Sequence, residues 1–179
     1  MTDSLIPIAP GFETPLEMIE ACHERLQAQL ATLDRLAKWL PDHGVDKQVQ
    51  QAAANVIRYF DVAAVNHHMD EEQDLFPLLL ERVDVARESG LRDLIDWVLN
   101  DHQRMFAEWA AMRARLEPLA RGEESALELA DTRRFAEIYQ FHIEREEGEV
   151  LPYARSLLSE EDIASLAASM TARRRQPHE

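Results

Sequence analysis

One short pattern occurs twice in this chain, and nothing else in the sequence constrains the fold as tightly. Residues 67–77 read HHMDEEQDLFP, and a reduced copy, HIEREEGEVLP, occupies residues 142–152. In register, His67 stands opposite His142, Glu71 opposite Glu146, Leu75 opposite Val150 and Pro77 opposite Pro152. Residues four apart share one face of a helix, so each copy aims an imidazole and a carboxylate at one point. That is a metal-ligand geometry, given twice by a duplicated unit.

The rest of the chain has the composition to build helices around that pair. It holds 179 residues, of which 46% are apolar, with only five glycines and eight prolines. Long stretches rich in Ala, Leu, Glu, Gln and Arg predict one all-α domain with a substantial core. The net charge of -15 and pI near 4.8 exclude nucleic acid and anionic membrane surfaces as partners. A single cysteine, Cys22, can form no internal disulfide. No apolar run is long enough for a signal peptide or a membrane span, and a cytoplasmic location is the expectation.

Residues 1–13, with Pro7, Pro10 and Gly11, read as an irregular arm. Thr14, Pro15 and Glu17 form a helix start: an N-cap, a proline at the first helical position and a capping box. Helix A is predicted from there to about Leu40, on the stripe Leu16, Ile19, His23, Leu26, Leu30, Leu33, Ala37, Leu40. Residues 41–44 read as a turn. Helix B follows from about Val45 with Val49, Val56, Phe60, Ala63, His67 and Glu71 inward; it should bend near Phe76, before Pro77, and run a turn or two beyond.

Ser89 and Gly90 mark the next turn. Helix C carries Leu91, Ile95, Val98, His102, Met105, Trp109, Met112, Leu116 and Leu119, and residues 118–125 form the third connection. Helix D carries Phe135, Ile138, His142 and Glu146 inward, up to Pro152. Ser159 starts a short fifth helix to about Thr171, with residues 173–175 as a frayed, solvated tail.

Short connections between long helices predict an up-down-up-down antiparallel four-helix bundle over residues 14–155, with the short fifth helix and tail over 156–179. At about 1.5 Å of rise per residue, this topology brings His23, His67, His102 and His142 to one level, within about one turn. A lone histidine in an apolar seam is ordinarily a satisfied core residue. Four at one level, beside buried carboxylates that need a cation, predict a metal site. Imidazole and carboxylate without thiolate suit iron, manganese or zinc, and six side chains suit two metals bridged by carboxylates.

These residues make the sequence resemble the hemerythrin-like family of HHE cation-binding domains over about residues 15–155. The resemblance implies that His23, His67, His102 and His142 are terminal ligands and that Glu71 and Glu146 bridge two iron ions. Those irons would pass between Fe2+ and Fe3+ under an oxo or hydroxo bridge, ahead of zinc or manganese. Oxygen-carrying hemerythrins have a further histidine four residues after the helix C ligand, where this chain has Phe106. The departure implies four imidazoles instead of five and a more open second iron. It favours binding, and reduction, of oxygen, peroxide or nitric oxide over reversible oxygen carriage, with an electron donor that the sequence does not name.

Other readings of such a domain are iron handling or storage, iron–sulfur repair, or an interaction module stapled by structural metal. Repair proteins share the four-histidine set but also carry a cysteine-bearing N-terminal domain, which makes repair the weaker expectation.

Several neighbours need placing. His68 and Glu72 offer a competing register about 100° off the seam; they are expected to be solvated or to support the ligands from outside. Tyr139 should pack, with its hydroxyl in reach of the cluster as the alternative. Glu20 is a candidate for support behind His23. Cys22 and Glu24 lie off the ligand face, and His43 and His178 fall in a turn and the tail.

Overall fold

The computed structural model describes residue 11, residues 13–83 and residues 89–175. Most of the expected arm, part of the connection before helix C, and His178 lie outside these residues. The described chain is all-α, with no strand among the described residues. Helix α1 spans Pro15–His43, and α2 spans Lys47–Arg58. A π turn at Tyr59–Ala64, helix α3 at Val65–Asp70, a second π turn at Glu71–Leu75 and helix α4 at Phe76–Arg82 follow without a break. Helix α5 spans Ser89–Arg121 and α6 spans Leu129–Arg145, followed by a third π turn at Glu146–Val150. Helices α7 (Leu151–Leu157) and α8 (Glu160–Arg175) are the last of the described elements. No described helix is long and apolar enough to cross a membrane.

Helix starts follow local chemistry, though not always as expected. Thr14 holds the N-cap position before Pro15, but its hydroxyl donates to the Gly11 carbonyl at 3.2 Å and no side-chain cap forms. Asp46 does cap α2, accepting from the Val49 N–H at 2.8 Å, a bond of about 1 kcal/mol. At α8 a capping box closes: Asp162 N–H donates to the Ser159 hydroxyl at 3.2 Å, and Ser159 N–H donates to the Asp162 carboxylate at 3.0 Å.

Helix ends differ more. Helix α1 runs through Pro41 to His43, because a proline near the C-terminus forfeits a single bond; Gly44, at φ 67°, then closes it onto the Leu40 carbonyl. Helix α5 likewise includes Ser89 and Gly90 and passes Pro118 to end at Arg121, while α6 starts at Leu129, after the expected Ser125. The frayed tail is also corrected. Arg173 and Arg174 belong to α8, and both bind the fully buried carboxylate of Asp70.

Contacts between α1 and α2, α2 and α5, α5 and α6, and α6 and α1 close a ring, with α8 packed on α1 and α3. Two apolar clusters fill the ring. One contains Leu26, Leu33, Val56, Phe60, Met105 and Phe135; the other contains Ile19, Leu75, Leu79, Ile95, Val150 and Leu166. Between them lies one polar layer, to which α1 gives His23, α3 and its π turn His67 and Glu71, α5 His102, and α6 and its π turn His142 and Glu146. The prediction of one level for the four histidines holds.

Candidate metal centre

Each copy of the repeated pattern places its glutamate at the start of a π turn. The Phe76 N–H bonds the Glu71 carbonyl and the Leu151 N–H bonds the Glu146 carbonyl, both five residues back. Pro77 and Pro152 come next, where a proline ring would collide with the carbonyl of a regular α-helix. The widened turn accommodates the ring, and the duplicated proline thus explains the duplicated turn.

All six side chains expected at the site converge, and all are buried. Glu71 Oε1 lies 3.9 Å from His23 Nε2 and 3.3 Å from His67 Nε2, while its Oε2 faces His102 Nε2 at 3.6 Å. Glu146 mirrors it: Oε2 faces His23 Nε2 at 3.2 Å, and Oε1 faces His102 Nε2 at 3.7 Å and His142 Nε2 at 3.2 Å. His102 Nε2 and His142 Nε2 are 3.1 Å apart. Donors next to one another on an octahedral ion with bonds of about 2.1 Å stand roughly 3 Å apart, so the side chains need little movement to close on metal.

The polar atoms argue for a cation independently. Among the described residues, the buried side-chain atoms without a hydrogen-bond partner are His23 Nε2, His67 Nδ1, both ring nitrogens of His68, Glu71 Oε2 and both oxygens of Glu146. Every one belongs to this layer. Each orphan of this kind costs about 1–3 kcal/mol, and more when charged, unless something binds it. Candidate metal-ligand atoms fall into two groups, each within 4.8 Å: His23, His67, Glu71 and Glu146, and His68, His102 and His142. The residues present fit metal cations held by imidazole and carboxylate.

A ring of outer carboxylates orients the imidazoles. The Nδ1 of His102 lies 2.7 Å from Glu72, that of His23 lies 2.9 Å from Glu147, and that of His142 lies 3.1 Å from Asp101. An N–H donated to a carboxylate fixes the tautomer and leaves Nε2 free to ligate. Glu72 and Glu147 each follow an inner glutamate, so the paired glutamates of each copy split their work between centre and support. Burial opposes charge on these imidazoles, but Glu146 and the outer carboxylates outweigh it; His23 and His102 are raised, and His142 is raised to about 9.

Of the two roles expected for His68, solvated or supporting the ligands from outside, the structure removes the first. The residue is 2% exposed, and its ring stacks on His102 with centroids 4.2 Å apart. The π turn at Tyr59–Ala64 inserts one residue, and the inner face passes from Phe60 to Ala64 instead of Ala63. The shifted face brings His67 and His68 side by side. A fifth imidazole therefore lies in the layer beside the four expected ones.

Of the other neighbours, Tyr139 packs between Phe60 and Phe135, as expected, and Glu24 is exposed. Glu20 turns outward to Arg155, 2.7 Å away, and does not support His23. Cys22 is buried beside the centre, its carbonyl accepting from the Tyr59 hydroxyl. Asp101 and Glu147 were not anticipated. The signal for Glu147 was the second glutamate in each copy, and for Asp101 only its place before His102.

Comparison with known proteins bears on the same span. The hemerythrin family, as the Hemerythrin HHE cation binding domain, matches residues 14–154. An uncharacterised protein of Haemophilus influenzae is 30% identical over 160 residues, covering 89% of this chain and 90% of that protein.

Proposed function

Because the chain belongs to the hemerythrin HHE cation-binding domain family, we propose that it is a non-haem di-iron protein that binds, and can reduce, oxygen, peroxide or nitric oxide. The ring of α1, α2, α5 and α6 is read as an up-down-up-down antiparallel bundle, with α8 as its fifth helix. His23, His67, His102 and His142 are the terminal ligands, and Glu71 and Glu146 are the bridges.

The observation that carries this reading is the division of each carboxylate. Glu71 turns Oε1 to His23 and His67 and Oε2 to His102. Glu146 turns Oε2 to His23 and Oε1 to His102 and His142. Two carboxylates that each face both sides are suited to two cations and superfluous for one. Iron, when bound, supplies the affinity for a small ligand and the electrons for its reduction. The chain's own part is to bind and orient: outer carboxylates hold the imidazoles, and the two apolar clusters keep bulk water from the layer. The electron donor is a separate partner, and the acidic surface favours a basic one.

The test is elemental analysis of protein made in iron-replete cells, followed by rapid mixing of the reduced protein with oxygen, peroxide and nitric oxide. Two irons per chain and an absorption change with at least one of these molecules is the expected result. Zinc, a single metal, or two irons inert to all three would replace this reading with a structural or storage role.

A further inference from the structure

Resting on the two-metal reading above, we propose that His68 is a seventh ligand. It supplies a fifth imidazole, and it belongs to the metal held by His102 and His142. Its ligating nitrogen lies within 4.8 Å of theirs. The ring stacks on His102 at 25°, and its centroid is 6.3 Å from that of His142. Neither ring nitrogen has a hydrogen-bond partner. A packing histidine would satisfy at least one of them, because an unpaired buried donor and acceptor are both costly. Phe106 meets the ring edge-on at 5.2 Å and 89° and holds it in place from the α5 side. The position four residues after His102 is therefore not a gap beside the metal, but the wall behind an imidazole from α3.

The assignment changes where an exogenous ligand binds. With His68, one metal faces three imidazoles, Glu71 Oε2 and Glu146 Oε1. The other faces His23, His67, Glu71 Oε1 and Glu146 Oε2. The centre is asymmetric, and its open position lies on the His23 side, opposite the side that Phe106 alone would suggest.

The experiment uses the iron-loaded full chain and azide as the small-ligand probe, with metal content, Mössbauer spectra and azide stoichiometry as readouts. The native protein is expected to show two inequivalent irons in equal amount and one azide per pair. His68→Ala should weaken one iron by about 10-fold or more, alter one of the two Mössbauer signals, and admit a second azide. Combining it with Phe106→His, which offers an imidazole from the wall, should return the stoichiometry to one. His68→Gln, which keeps volume and polarity, gives the same reading if the alanine variant does not fold. Unchanged iron affinity, spectra and azide count in the His68 variants would overturn the assignment while leaving the two-metal reading intact. A native protein with fewer than two irons would overturn that reading itself.

Discussion

Glu71 and Glu146 begin equivalent π turns, yet their surroundings shift the two carboxyls in opposite directions. Burial, with Glu146 as its neighbour, pushes the Glu71 carboxyl well above the usual range. Glu146 is held well below it, because His142, His102 and His23 outweigh the cost of burying its charge. For Glu146 the imidazoles outweigh burial, and for Glu71 burial and the neighbouring carboxylate prevail. The proposed two-metal centre would remove that difference, since both carboxylates would then be ionised.

Metal affinity is therefore expected to rise between pH 7 and 9. His142, raised to about 9, must release a proton before it ligates. The metal-free fold has the opposite slope. A raised imidazole contributes stability fully below about pH 6.5 and loses it as pH passes about 9, and a raised carboxyl is likewise stabilising only while protonated. Thermal melts with and without metal, and chelator competition at three pH values, would check both signs. A pH-independent affinity would contradict the proton inventory.

Removing the outer carboxylates should weaken metal without unfolding the chain. Asp101→Asn, Glu72→Gln and Glu147→Gln each leave an imidazole N–H with a poorer acceptor, a change that typically costs about 10–100-fold in affinity. Asp101 is 7% exposed, Glu72 29% and Glu147 42%, so the losses should fall in that order as water replaces the lost acceptor. Competition against a chelator of known affinity gives the ranking, and equal losses would mean that burial does not control it.

Much of this architecture is visible in the sequence because it repeats with helical period. His23 and His102 interrupt apolar seams, and the copied pattern carries the remaining four expected ligand residues. What escaped was produced by departures from that period. The π turn at Tyr59–Ala64 contains no proline and nothing else that announces an extra residue, yet it moves the inner face from Ala63 to Ala64 and brings in His68. The double histidine was the available sign. The role of Arg173 and Arg174 escaped for another reason: a basic run near a terminus looks solvated until the partner 100 or so residues away is known.

That partner should dominate the attachment of α8. Asp70 is fully buried and receives Arg174 at 2.6 Å together with Arg173, which also reaches Asp74 at 2.6 Å. Asp70→Ala would leave two largely covered guanidinium groups without it, a loss of about 3–5 kcal/mol. For a chain of this size that lowers the melting temperature by roughly 6–20 °C. Lys38→Ala, which removes an exposed i,i+4 pair with Asp34, should cost less than about 0.5 kcal/mol. Similar melts for the two variants would show that the clasp contributes no more than a surface pair.

Tryptophan emission should report metal at the His142 side of the centre. The Trp97 ring lies 6.2 Å from the His142 ring at 28°, with the Arg145 guanidinium 4.2 Å from its centroid and Phe141 edge-on at 5.7 Å. Trp39, by contrast, stacks on His43 at the end of α1, away from the polar layer. Iron is redox-active and open-shell and should quench Trp97 strongly. Zinc, which is closed-shell and has no redox chemistry, should only shift its emission. Trp97→Phe should reduce the iron-dependent quenching, leaving the part that Trp109, about two turns along α5 from His102, contributes, and Trp39→Phe should leave it in place. His142→Ala should reduce quenching by lowering occupancy of the nearer metal position. Quenching that survives Trp97→Phe undiminished would place the bound iron away from His142, against the centre described above.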